Sequence, residues 1–242
     1  MEWIIYIVIG TVVGFIAGLL GVGGGFLLVP TLVMIGVPPH HAVGTSLACI
    51  SLSSLASAYT HVRERRVLYR VVLLKEVFSI PSAVAGAYVS SYFSGKTLEL
   101  VFSALLILLA FSLLRPEQEK VSEGSGIRYR NVPIIGIIAG FISGLLGVSG
   151  GVLNVPLFYT LVGLPIKYAV GTSSLSLFFT AAAGTFEHWR LGHVSVPMVL
   201  ALSPGLVVGA RLGAKTVALV SPGTLRRVFA LLLVVMALKL II

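Results

Sequence analysis

Residues 18–30 read Gly-Leu-Leu-Gly-Val-Gly-Gly-Gly-Phe-Leu-Leu-Val-Pro, and residues 144–156 read Gly-Leu-Leu-Gly-Val-Ser-Gly-Gly-Val-Leu-Asn-Val-Pro. Self-similarity of this length marks a duplicated structural unit, so the chain has to fold as two copies of one design. Two more motifs return downstream. Ala42-Val43-Gly44-Thr45-Ser46 recurs as Ala169-Val170-Gly171-Thr172-Ser173, and His61-Val62-Arg63 as His188-Trp189-Arg190. The offset is 126 residues for the first motif and 127 for the other two, so one residue was inserted between them.

The solvent follows from composition. Hydrophobic residues are 57% of the chain, charged residues 10% and mean hydropathy is +1.06, where globular proteins carry about a quarter charged residues. Apolar runs so long and numerous cannot share one water-soluble core. The net charge of +9 comes from bases clustered between those runs, as in cytoplasmic loops, and does not indicate nucleic-acid binding. Cys49 is the single cysteine, which excludes an intrachain disulfide and a cysteine-based metal site. Met1-Glu2-Trp3 lacks the basic start of a signal peptide, so the first apolar run reads as a retained helix.

The expected fold is an all-α integral membrane protein of two homologous five-segment repeats, with short broken helices around the glycine loops. The segments run 3–20, 26–36, 42–62, 70–92 and 97–114, then 132–147, 152–163, 169–189, 194–212 and 224–242. Residues 1–114 form the first repeat, 115–131 a polar cytoplasmic linker and 132–242 the second repeat. Most segments approach the ~20 residues that cross hydrocarbon. The second of each half is too short, at about 17 Å of helix by the 1.5 Å rise, and either crosses with help or re-enters.

Basic residues discriminate the orientation. With oppositely oriented halves, only Lys96, Arg190 and Lys239 of the 17 bases face outward, a split of 14 to 3. Parallel halves give 11 to 6. The stronger asymmetry predicts inverted repeats, with the amino terminus outside.

Gly21, Gly23, Gly24 and Gly25, with Gly147, Ser149, Gly150 and Gly151 in the second copy, form no nucleotide loop. Phe26 stands where a dinucleotide fingerprint needs a small residue, and no Lys-Ser/Thr follows. Glycine lets main-chain amides approach a ligand closely, and helix amino termini bind anions without a charged side chain. Glycine-interrupted segments at matching places in two halves point to a transport site. The hydroxyls of Thr45, Ser46, Thr172, Ser173 and Ser174 and the amide of Asn154 are the expected further contacts. Gly10-xxx-Gly14-xxx-Gly18 and Gly136-xxx-Gly140-xxx-Gly144 read as helix-packing faces.

No aspartate occurs, and all eight glutamates fall by these boundaries in loops, the linker or near helix ends, Glu76 deepest. A dehydrated cation would lack an obvious counter-charge, which tilts the site toward an anion. His61, His188, Glu76 and Glu187 are candidates for gating or proton coupling, the histidines equally readable as interfacial side chains. No metal cluster, cofactor or catalytic set is expected.

The paired glycine loops, Val-Gly-Thr-Ser segments, His-Arg pairs and duplicated length resemble the TauE/SafE family of sulfite and organosulfonate exporters. The resemblance covers nearly the whole chain outside the linker. It implies a multi-pass cell-membrane carrier of small anions, such as sulfite, sulfonates or sulfoacetate, with the glycine loops and Thr-Ser pairs facing substrate. Ser149 and the weakly charged loop after His188 depart from a symmetric pattern, so the half-sites are expected to contribute unequally. A secondary transporter working by alternating access is the expectation, with a lipid bilayer as its medium, a homo-oligomer compatible and no nucleic acid. A passive anion channel and an integral-membrane enzyme acting on lipid or acyl groups are the alternatives.

Overall fold

The structure, a computed structural model, describes residues 2–20, 25–114, 127–148, 151–216 and 222–241. Among these, ordered secondary structure is helical throughout. The first half holds α1 (Glu2–Leu20), α2 (Gly25–Met34), α3 (Pro39–Arg63), α4 (Tyr69–Ser90) and α5 (Gly95–Leu114). The second holds α6 (Val132–Leu146, after a 3-10 turn at Tyr129–Asn131), α7 (Gly151–Leu157), α8 (Ile166–Arg190), α9 (Val196–Thr216) and α10 (Pro222–Ile241). A π-helical turn at Phe158–Val162 continues α7.

The helix starts have local causes. Pro38 and Pro165 stand at the N-caps of α3 and α8 with matching φ/ψ of −55/138° and −55/142°. Proline fixes φ near the value a helix start needs, so both helices begin three residues ahead of the expected 42 and 169. Pro30 and Pro156 lie inside α2 and α7, where each removes an N–H and crowds the preceding turn. These helices stay short.

Polarity is turned inside out. On α4, Leu73 and Val77 are 68% and 67% exposed, while Lys75, Glu76 and Ser79 are buried. On α8, Phe179 and Phe186 point outward, and Ser173, Ser176 and Thr180 point inward. In water that arrangement discards the hydrophobic effect; in lipid it satisfies both faces. Among the described residues, four helices are long and apolar enough to cross a membrane: Pro39–Arg63, Tyr69–Ser90, Tyr129–Leu146 and Lys167–Arg190.

Contacts repeat with the sequence. The axis of α1 lies along α9 as that of α6 lies along α4, and the equivalent pairs α3·α8 and α5·α10 meet across the centre. A Cβ on Gly10 or Gly14 would fall on the carbonyl of Leu202 or Leu206; one on Gly136 or Gly140 would fall on that of Lys75 or Ser79. Each acceptor is 127 residues from its counterpart. The glycine faces are therefore packing faces, where missing side chains let backbones touch. Helices α3 and α8 run antiparallel, since Ser57 meets Ser174 and Leu47 meets Gly184.

Candidate functional site

The second glycine loop is visible at its edges. Helix α6 ends at Gly147, left-handed at φ 66°, with its amide bonded to the Ser143 carbonyl at 2.9 Å. Any side chain would be strained there and would strike the Val43 backbone. Ser46 Oγ donates to the Gly147 carbonyl at 3.0 Å, so α3 of one half ties down the helix break of the other. Gly25 and Gly151 are the first residues of α2 and α7. Gly21, Gly23, Gly24, Ser149 and Gly150 lie outside the described residues.

The threonines make a reciprocal clasp. Thr45 Oγ1 accepts the Ser195 N–H at 3.2 Å ahead of α9, and Thr172 Oγ1 accepts the Leu68 N–H at 3.1 Å ahead of α4. Both hydroxyls are fully buried and anchor the opposite half. Ser174 Oγ donates to the Val170 carbonyl at 3.0 Å and accepts from Ser57. Asn154 and Ser173 differ. Both are buried, and among the described residues neither the Asn154 amide nor the Ser173 hydroxyl has a hydrogen-bond partner. Leaving such groups dry costs about 1–3 kcal/mol each.

One turn beyond Ser173 on the same face of α8 lies a charged cluster. Lys75 Nζ donates to Glu76 Oε1 at 2.9 Å, Ser79 Oγ at 2.9 Å and Thr180 Oγ1 at 3.1 Å, so its three protons are all engaged. Glu76 also accepts from Ser176, and from Thr180 at 2.9 Å on Oε2. Gly136 and Gly140 let α6 close over Lys75 and Ser79. The sequence reading counted Lys75 among the bases on the cytoplasmic side and put Glu76, the deepest glutamate, toward a helix end. The structure corrects both: Lys75 is 0% and Glu76 6% exposed, inside α4. The available signal was an adjacent Lys-Glu with Ser79 four residues after Lys75, inside an otherwise apolar stretch, because intramembrane charges pair and mark function. The sequence-level argument against a buried counter-charge weakens accordingly, although this carboxylate is already matched by Lys75.

The two equivalent histidines part company. His188 is fully buried; Nε2 donates to the Gly144 carbonyl at 2.9 Å, and Nδ1 lies 3.2 Å from His193 Nδ1. His193 gathers His40 and His41 at ring distances of 5.0 and 5.9 Å. His40 Nε2 is shared between the Ser90 and Phe93 carbonyls, each at 3.1 Å. Burial, then the neighbouring His40 and His41, hold His193 below the ordinary histidine range. His61 is half-buried with Nδ1 unpartnered among the described residues. Glu187, buried in the last turn of α8, takes a hydrogen bond from Arg190 at 3.0 Å. Sequence reading missed His40, His41 and His193, since only the fold joins the His40-His41 pair to the loop after α8. Among the described residues no three His, Cys, Asp or Glu side chains are arranged to hold a metal.

The sulfite exporter TauE/SafE family model matches residues 6–240. A probable membrane transporter protein of Bacillus subtilis, YunE, is 32% identical over 88% of both chains. A probable membrane transporter protein of Haemophilus influenzae is 30% identical over 96% of both, and one of Methanocaldococcus jannaschii is 28% identical over 96% of this chain and 92% of its own. No solved structure matches. With lipid-facing apolar helices, a polar interior and relatives of full length, this chain is a multi-pass membrane protein belonging to the TauE/SafE family.

Proposed function

We propose that the protein is a secondary transporter of small anions, sulfite or organic sulfonates and acids, working by alternating access between two inverted halves. The observation that carries the reading is the pair of buried, unpartnered polar groups on adjoining helices, Asn154 on α7 and Ser173 on α8. Both offer donors where hydrocarbon offers none, and an oxyanion would use them. Main-chain amides in the first turns of α2 and α7, which begin at Gly25 and Gly151, add donors of the same sign. The antiparallel run of α3 and α8 and the reciprocal Thr45 and Thr172 clasps support inversion.

Uptake of radiolabelled sulfite, sulfate, sulfoacetate, taurine and acetate into proteoliposomes tests this. Wild type is expected to saturate with at least one anion, and Asn154→Leu, which copies its counterpart Leu28, to lose at least tenfold. Gly24→Val/Gly150→Val, bulking both loops, loses uptake as well. Saturable uptake unchanged in folded variants contradicts the site; uptake that never saturates favours a channel.

A further inference from the structure

The duplication supplies an internal control for the charged cluster. Moving 127 residues along the chain carries Lys75, Glu76 and Ser79 onto Leu202, Ser203 and Leu206 of α9, and Ser176 and Thr180 back onto Cys49 and Ser53 of α3. The same positions touch in both seams: Ser176 Oγ meets Glu76, and Ser203 Oγ donates to Cys49 Sγ at 3.7 Å. One seam packs with leucine, serine and cysteine. The fold therefore does not require an ion pair, and a buried ion pair is often no more stable than an apolar replacement. Its retention in only one seam calls for a role.

We propose that Lys75 is the anion-binding cation of the transport site and that Glu76 is the ligand it holds when no substrate is bound. This rests on the transport reading above and names the charge that reading lacked. Nζ has no free proton, so an incoming anion must displace an acceptor, and Glu76 is the one acceptor of like charge. Ser173, Ser176 and Thr180 lie at spacings of three and four on α8, a single hydroxyl strip from the unpartnered Ser173 to Lys75. The anion takes the carboxylate's place on Nζ, Ser176 and Thr180. The freed carboxylate binds one proton from water on the open side, forming an O–H bond, and returns it when the anion leaves. Ammonium plus carboxylate carries no net charge; neither does ammonium plus monoanion plus carboxylic acid. One proton thus travels with one monoanion, and the cycle is electroneutral.

Among the described residues no other charged group faces Glu76. Helix α6 contributes glycines and has no titratable side chain; those of α8 (Lys167, Tyr168, Glu187, His188 and Arg190) stand at its ends. Lys75 is the neighbour on α4 itself.

The test uses full-length protein in proteoliposomes with methanesulfonate and isethionate, which stay monoanionic and do not cross lipid as neutral acids, as probes. Wild type is expected to accumulate a monoanion about tenfold per unit of inward proton gradient, the mass-action ratio for one proton, and to ignore an imposed membrane potential. Glu76→Gln removes the proton: accumulation driven by pH vanishes, and flux becomes driven by potential. Lys75→Leu/Glu76→Ser copies the packing of the other seam and is expected to fold and lose at least tenfold in uptake. Wild-type uptake of none of the probes defeats the transport reading and this inference with it. Uptake by wild type, with Glu76→Gln still accumulating tenfold or the folded double variant still transporting, overturns the inference alone. Should the double variant fail to fold, the Glu76→Gln arm decides.

Discussion

The seam between α4 and α8 and its counterpart between α9 and α3 occupy equivalent places in the two halves. In the first, Lys75 and Glu76 are buried with Ser79, Ser176 and Thr180 around them. In the second, Ser203 makes a weak contact with Cys49 at 3.7 Å, and Leu202, Leu206 and Ser53 stand at the positions equivalent to Lys75, Ser79 and Thr180. Where both seams agree, as in the glycine faces and threonine clasps, the residues serve the fold. Where they differ, packing no longer accounts for the choice. A duplicated protein therefore separates structural from functional residues in one chain.

The largest effect is expected from breaking only half of the ion pair. Lys75→Leu leaves Glu76 buried without its cation and should cost about 3–5 kcal/mol, read as a large drop in thermal midpoint in detergent. Adding Glu76→Ser should recover most of that loss. Equal stability of the single and double variants would mean that the seam is wetter than its burial indicates.

Next come the shared glycine faces. Gly140→Ala sets a methyl against the Ser79 carbonyl, and Gly14→Ala sets one against that of Leu206. Each should cost about 1–3 kcal/mol through overpacking. Similar losses from the two confirm equivalent seams; a loss confined to one half would break the comparison.

A smaller difference separates the turns after α3 and α8. Arg65 adopts φ 55° where its counterpart Gly192 adopts 74°. A left-handed conformation burdens a residue bearing Cβ by about 1–2 kcal/mol, partly offset by glycine's freedom in the unfolded chain. Arg65→Gly should thus raise stability, by less than about 1 kcal/mol, in a thermal melt.

The smallest effect concerns pH. His193, outside the spans, binds its proton less readily in the folded state because of burial and its histidine neighbours. Its contribution is fully present above the unfolded value of about 6.5 and is lost as pH falls below it toward the folded value. His193→Gln should flatten the decline of the thermal midpoint on acidification below pH 6.5. An unchanged slope would assign that decline to other groups.

The helices were legible because lipid demands continuous apolar runs and because proline and glycine punctuate them. The glycine packing faces were legible from their four-residue spacing. Lys75 and Glu76 were not, because Lys75 follows the run of bases from Arg63 to Arg70 and counts with them on the cytoplasmic side, although it falls within the 70–92 segment. Only alignment with Leu202 and the inward face of α4 reveal it as buried. Thr45 and Thr172 were flagged as polar and central, but sequence spacing says nothing of what their hydroxyls touch. The histidine cluster joins residues more than 140 positions apart, a separation no local pattern encodes.

The most direct measurement of the proposed transport site is the accessibility of Ser173. In a Cys49→Ser background, Ser173→Cys would be exposed to a charged, membrane-impermeant thiol reagent from each side of oriented vesicles, with and without a transported anion. Alternating access through this strip predicts labelling from both sides, with the anion slowing it severalfold. A thiol that no reagent reaches from either side, in a variant that still transports, would contradict the account.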